Sequence, residues 1–199
     1  MSWILLLAAY LLGATPTSYI VARLVRGIDL RQHGSGNLGA TNAFRVLGWK
    51  AALPVMILDV FKGWFPTVWF PLWDGAPAGW ALAYGAAAIV GHVFSVWVAF
   101  RGGKGVATSA GVFLALAPWA VLIAFIVWGV TVILTRIVSL ASILAALVLP
   151  VAVFVTNEPP VELGLSVALA AFVIYAHRSN IRRLLAGEES RFGRKKEAG

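Results

Sequence analysis

Long apolar runs, each closed by short clusters of glycine and basic residues, make up most of the chain. They fall at roughly 3–25, 51–73, 79–100, 106–134, 138–155 and 161–177. A helix needs about 20 apolar residues, in a range of roughly 17–25, to cross the hydrocarbon core of a bilayer. Most of the runs have that length and predict spanning helices. The run 106–134 is too long for one straight span and short for two. Pro118 lies inside it, and proline interrupts the helical hydrogen-bond ladder. The pattern therefore predicts a break near Pro118 and about seven membrane helices.

Charge decides between this reading and an unbroken 106–134. With the break, the segments 26–50, 101–105, 135–137 and 178–199 share one side. That side then collects every Lys and Arg except Lys62, which lies inside a span. The other side keeps only Asp74, Glu158 and Glu162. Without the break, Arg136 and the basic tail separate. Cytoplasmic loops carry the excess of Lys and Arg, so the expectation is an all-α polytopic protein with N-terminus outside and C-terminus cytoplasmic. The first apolar run lacks a positive leading segment and has the length of a span, so it reads as a helix rather than a secretion signal. Residues 1–199 form a single integral membrane domain in this reading, with 178–199 a basic cytoplasmic tail.

Composition agrees. Of the 199 residues, 60% are hydrophobic, 12% are charged, and mean hydropathy is +0.87. A soluble domain carries about 25% charged residues, so lipid is the solvent for most of this chain. Nine tryptophans and four tyrosines suit the lipid–water interface. Cysteine is absent, which excludes disulfides, thiol nucleophiles and thiolate metal sites. The net charge of +8 is explained by topology, so no nucleic-acid partner is expected. No metal site and no cofactor are expected either.

Two glycine-rich loops fall on the basic side. The first reads Gly34-Ser35-Gly36-Asn37-Leu38-Gly39-Ala40-Thr41-Asn42-Ala43-Phe44-Arg45. Its glycines allow positive φ and close backbone approach, and successive N–H groups in such a turn form an anion-binding nest. Ser35, Asn37, Thr41 and Asn42 add neutral hydrogen-bonding groups, and Arg45 a forked cation suited to phosphate. The stretch also fits G-x-G-x-x-G, with Asp59 twenty residues after Gly39. A membrane helix, not a strand, precedes it, so a dinucleotide fold is excluded.

The second loop runs Phe100-Arg101-Gly102-Gly103-Lys104-Gly105 and enters Val106-Ala107-Thr108-Ser109. A nucleotide-binding P-loop requires Ser or Thr after its lysine and a glycine six residues before it. Gly105 and Val98 stand there instead. The next helix begins after Gly105, so its N-terminus directs positive dipole toward an anion beside Lys104.

A third element, Ala176-His177-Arg178-Ser179-Asn180, opens the tail. On a helix His177 and Asn180 share a face. Asp59 and Lys62, three apart inside the second span, read as a buried structural pair, because membrane charges need partners. His92 reads as a hydrogen-bonded core histidine.

Taken in order, the stretches 35–45, 91–111 and 177–188 resemble the acyl-phosphate-dependent glycerol-3-phosphate acyltransferase family (PlsY) of bacterial membranes. The resemblance implies a seven-helix bundle in the bacterial cytoplasmic (inner) membrane, with a cytoplasm-facing site. It implies transfer of a fatty acyl group from acyl phosphate to the 1-hydroxyl of sn-glycerol 3-phosphate, giving lysophosphatidic acid and phosphate. The partners are then both substrates, membrane lipid and the soluble enzyme that makes acyl phosphate. The H-x-x-x-x-D dyad of other acyltransferases is absent: Leu38, Trp97 and Arg182 stand five after the three histidines. We assign Gly36, Asn37, Gly39 and Thr41 to the acyl phosphate. Ser35, Arg45, Lys104, His177 and Asn180 fall to glycerol 3-phosphate, with Gly103 in the second loop. His177, Lys104 and Ser35 are the candidate catalytic residues. The general base is either His177 or a substrate phosphate oxygen.

Two other classes compete. A transporter of a phosphorylated solute would place its site near the midplane, with broken helices in two matching halves. No internal repeat is visible, and the charges sit at one face. A membrane scaffold with a lipid-binding basic tail would leave Arg45 and Lys104 without a role.

Overall fold

Because lipid cannot satisfy a backbone N–H or C=O, a chain of this composition has to close its hydrogen bonds within helices. A computed structural model, describing residues 1–77 and 79–192, is all-helical over that range. The tail residues Arg194, Lys195 and Lys196 lie outside the described residues. The chain divides into two compact units, Met1–Leu116 and Ala117–Gly199.

The first unit contains α1 (Ser2–Ala14), α2 (Thr17–Arg26), α3 (Ala40–Leu47), α4 (Trp49–Asp74), α5 (Gly79–Val93) and α6 (Val106–Leu116). Short 3₁₀ turns lie at Leu30–Gln32 and Val96–Val98. The predicted first span is present but interrupted. Pro16 separates α1 from α2, and the whole Ser2–Arg26 stretch still has the length and apolarity to cross a membrane. α4 runs 26 residues through Pro54, Pro66 and Pro71 without ending. The Thr67 hydroxyl donates to the Gly63 carbonyl one turn back at 2.8 Å.

Small residues fill the inside and large ones face outward. Ala9, Ala14 and Ala88 are fully buried, whereas Ile4, Leu72 and Trp3 are well exposed. This inversion suits lipid, where close backbone approach rather than apolar burial joins helices. At the α4–α6 contact, a Cβ on Gly63 would meet the Thr108 carbonyl, and one on Gly111 the Val60 carbonyl. At the α5 N-terminal end, Trp3 meets Trp80 edge-on at 5.3 Å and Phe70 meets Tyr84 at 5.6 Å. The glycine loops lie at the other end of these helices.

The second unit contains α7 (Pro118–Thr135), α8 (Val138–Val155), α9 (Pro160–Ala176) and α10 (Arg178–Leu185). The expected break is where the sequence puts it: α6 stops at Leu116 and Pro118 opens α7. Five helical stretches have the length and apolarity to cross a membrane, and six if α9 and α10, bent by 58°, count as one. α6 has only 11 residues. At 1.5 Å per residue it rises about 16 Å, roughly half the hydrocarbon thickness.

Candidate functional site

The first glycine loop is built around a buried amide. Asn42 sits one turn inside α3 and is 2% exposed. Its Oδ1 accepts the Ser35 N–H at 2.8 Å, and its Nδ2 donates to the His33 carbonyl at 3.0 Å. One side chain thus ties residues 33–35 of the loop to the first turn of α3. Gly34 and Gly36 adopt left-handed φ of 63° and 70°. A Cβ on Gly36 would lie 2.9 Å from the Arg31 carbonyl, so only glycine lets the chain turn there.

The segment 40–45, expected as loop, is the start of α3. Gly39 is its extended N-cap, and Asn42 N–H and Ala43 N–H both donate to the Gly39 carbonyl at 3.1 Å. The N–H groups before them have no intrahelical acceptor and point positive dipole outward. Thr41 and Arg45 are exposed on this eight-residue helix. Ser35 is exposed, while Gly36, Asn37 and Gly39 are half-buried.

Neighbouring cations do other work. Arg31 forks onto Asp29, with Nε–Oδ1 at 3.0 Å and Nη2–Oδ2 at 2.7 Å. The Arg31 guanidinium holds the Asp29 carboxyl well below the usual carboxylate range, at about 2. Arg23 lies 3.8 Å from the same carboxylate, and both guanidiniums stand 5.3 Å from the Tyr19 ring. Arg26 donates to the Val46 carbonyl at 2.8 Å, near the C-terminus of α3. Arg45 has no ion pair among the described residues.

The second loop folds back on the end of α5. Gly102 N–H donates to the Val93 carbonyl at 3.0 Å, and Gly103 N–H to the His92 carbonyl at 3.1 Å. A Cβ on Gly103 would strike the His92 ring and come 3.1 Å from the Leu38 carbonyl. Leu38 belongs to the first loop, and it packs in one apolar cluster with Val98, which leads into the second. The two glycine loops therefore touch within the first unit. Gly105, at φ 81°, turns the half-buried Lys104 segment into α6, whose first bond is Ser109 N–H to the Gly105 carbonyl at 2.8 Å.

The third element lies in the second unit. His177 is not inside a helix: it caps α9 and opens α10. The simple shared-face expectation for His177 and Asn180 is therefore replaced by a bent junction at which both are buried. His177 Nδ1 lies 2.8 Å from the Val173 carbonyl. A carbonyl only accepts, so Nδ1 carries a proton, and in the neutral form of the ring the lone pair is on Nε2. Asn180 Nδ2 donates to Glu189 at 2.7 Å, as does the Ser139 hydroxyl at 2.7 Å. Arg183 Nε reaches the other Glu189 oxygen at 2.6 Å. Burial pushes the Glu189 carboxyl up, but the bonds from Asn180, Ser139 and Arg183 outweigh it and hold the group below its ordinary value.

Three features of this arrangement lie beyond the sequence reading: Asn42 as the clamp of the first loop, Glu189 as the anchor of α10, and the seat of Gly103 on His92. Each joins residues seven or more apart through a side chain whose partner no short motif names. The expected Asp59–Lys62 pair is present, with Nζ–Oδ1 at 2.8 Å. Among the described residues no cluster of His, Asp or Glu has the composition of a metal site.

Residues 3–187 match the protein family described as Glycerol-3-phosphate acyltransferase. A relative of that description from Halalkalibacterium halodurans is 42% identical over 202 residues, covering 99% of this chain and 98% of its own. A crystal structure of PlsY, an integral membrane glycerol 3-phosphate acyltransferase in its glycerol 3-phosphate form, is 41% identical with a TM-score of 0.90, covering 96% of each chain. The lysophosphatidic acid form of PlsY is 40% identical with a TM-score of 0.87, covering 96% of this chain and 95% of the other. With a match across nearly all its length and the same fold as solved members, this chain belongs to the glycerol-3-phosphate acyltransferase family and is an integral membrane acyltransferase.

Proposed function

We propose that the chain moves a fatty acyl group from acyl phosphate to the 1-hydroxyl of sn-glycerol 3-phosphate. The bond from the acyl carbon to that hydroxyl oxygen forms as its bond to the phosphate oxygen breaks. The hydroxyl proton leaves with the phosphate or on His177. The products are lysophosphatidic acid and inorganic phosphate, the first step of phospholipid synthesis. The observation that carries this reading is the meeting of two glycine loops in the first unit, with outward N–H groups on one and Lys104 on the other. Two anionic substrates call for that combination.

Acyl phosphate is already activated, so proximity and charge stabilisation supply most of the rate. Gly36, Asn37, Gly39 and Thr41 hold the acyl phosphate; Ser35, Arg45, Gly103 and Lys104 take the glycerol 3-phosphate side. The sequence pattern assigns His177 and Asn180 to glycerol 3-phosphate as well. Of the two candidate bases, a substrate phosphate oxygen is the one favoured by the family resemblance. The Nδ1 bond to Val173 supports His177 as the alternative, because it leaves Nε2 as the basic nitrogen. The relatives' glycerol 3-phosphate and lysophosphatidic acid forms support the acceptor and the product.

In this reading residues 1–199 are one integral membrane domain of seven spans in a bacterial cytoplasmic membrane. The N-terminus is outside, the glycine loops and the basic tail 178–199 are cytoplasmic, and a soluble enzyme supplies the acyl phosphate. The Lys and Arg of the glycine-loop segments and the tail support that orientation. The feature that favours transport instead is the buried Asp59–Lys62 pair. Both members are engaged within the protein, Asp59 with Thr17 at 2.5 Å and Lys62 with the Thr15 carbonyl at 2.9 Å, which supports a structural role. Purified protein given acyl phosphate and glycerol 3-phosphate is expected to release phosphate only when both are present. Transfer from an acyl thioester, with none from acyl phosphate, would overturn the donor assignment.

A further inference from the structure

Asp59 is 1% exposed and His92 6%, inside a segment that lipid surrounds. A buried charge cluster is costly there and calls for a purpose. Part of it is local. Pro16 breaks the first span, and side chains from other elements satisfy the groups at the break: Ser95 donates to the Ala14 carbonyl, Lys62 to the Thr15 carbonyl, and the Thr17 hydroxyl to Asp59. His92 takes no part in that repair. Its Nδ1 stands 3.7 Å from the same Asp59 oxygen that receives Lys62 and Thr17. Its other side faces the second glycine loop, where its carbonyl accepts Gly103 N–H and its ring occupies the space a Gly103 side chain would need.

We propose that Asp59 and His92 are positioning residues for the second glycine loop: Asp59 fixes the His92 ring, and the ring and carbonyl of His92 fix Gly103, and with it the adjoining Lys104, in the register that binds glycerol 3-phosphate. This deepens the acyl-transfer reading and rests on its assignment of Lys104 to that substrate. Asp59 also engages Thr17, so the repair of the first span and the seat of the loop share one carboxylate. A loop with glycine at three of four positions cannot hold its own conformation. It borrows rigidity from a packed polar network, and a displacement of about 1 Å in such a positioning element costs up to about 10²-fold in rate.

His92→Ala and the double variant Asp59→Asn/Lys62→Met, which leaves no unpaired buried charge, are compared with wild type in detergent. The thermal midpoint of His92→Ala is expected to stay close to wild type, and that of the double variant to fall, because the Thr15 carbonyl loses its donor from Lys62. KM for glycerol 3-phosphate is expected to rise about tenfold or more, with KM for the acyl donor unchanged to within about twofold. Gly103→Ala is expected to damage wild type more than it damages His92→Ala, because the ring it strikes is gone. Unchanged KM for both substrates in folded variants, or equal increases in both, would overturn the assignment. If His92→Ala does not fold, Thr17→Val at the far end of the network takes its place, with a smaller rise in the same KM expected and an unchanged KM decisive against. The acceptor KM is read with whichever acyl donor wild type uses. Failure of acyl phosphate as donor is therefore seen in wild type alone, apart from the variants.

Discussion

The Asn42 amide shows how much one side chain decides in a loop that otherwise lacks them. It adds to the single backbone bond of the turn, Gly36 N–H to the His33 carbonyl, by holding the Ser35 N–H and donating to that same carbonyl. Asn42→Ala leaves the Ser35 N–H unsatisfied, while the His33 carbonyl keeps the Gly36 N–H at 3.1 Å, and the cost of such a loss is about 1–3 kcal/mol. The expected outcome is a lower melting temperature in detergent and a loss of kcat/KM larger than the fall in folded protein explains, measured by phosphate release. Asn42→Asp keeps the acceptor for Ser35 but not the donor to His33, so an intermediate loss is expected. Asp29 offers a second check at this scale. Its folded value of about 2 lies below the ordinary 3.8, so its contribution is complete well above pH 3.8 and is lost as pH falls through about 2. The difference in melting temperature between wild type and Asp29→Asn is expected to be constant from pH 5 to neutrality, to shrink below about pH 4 and to vanish near pH 2. A difference that grows on acidification would show that the Arg31 fork is not its source.

Among the elements, α6 depends most on its neighbours. At 11 residues it is below the length at which an isolated helix is stable in water, and packing has to hold it. Gly111 lies directly on the Val60 carbonyl, with the Trp64 nitrogen 3.0 Å from the place of a Cβ. Gly111→Val forces α4 and α6 apart. It is expected to cost about 1–3 kcal/mol, read as a lower melting temperature. Gly129→Ala in α7, where a Cβ meets nothing within 4 Å, is the control and is expected to be neutral or slightly stabilising. Apolar length made most long helices legible in the sequence, and Pro118 made the break between α6 and α7 legible, because both signals are local. α3 was not legible: its eight residues carry Asn, Thr and a short amphipathic pattern that reads equally as loop. Nor was the bend at His177, since residues 177–185 contain neither proline nor glycine and nothing in them demands a turn. The site divides the same way. The glycines, Lys104 and Arg45 stand out by type and spacing, whereas the Asn42–Ser35 clamp and the Glu189–Asn180 anchor are pairings made by the fold.

For the molecule as a whole, the number of spans is the question that charge answers and helix length does not. α6 alone reaches about halfway through the hydrocarbon core. The seven-span proposal therefore turns on Arg136, between α7 and α8. If α6 and α7 make two passes, Arg136 is cytoplasmic with the other basic residues. If they make one pass between them, it is outside, against the excess of Lys and Arg that cytoplasmic loops carry. The chain has no cysteine, so single cysteines report sidedness without background. Lys50→Cys at the start of α4, and Arg136→Cys and Asn157→Cys between helices, place a thiol at exposed positions. In intact cells a membrane-impermeant maleimide is expected to label Asn157→Cys alone, and Lys50→Cys and Arg136→Cys only after the membrane is opened. Labelling of Arg136→Cys from outside, with Lys50→Cys still protected, would remove one crossing. That result would overturn the seven-span proposal, because Arg136 would then lie outside, against the cytoplasmic excess of Lys and Arg.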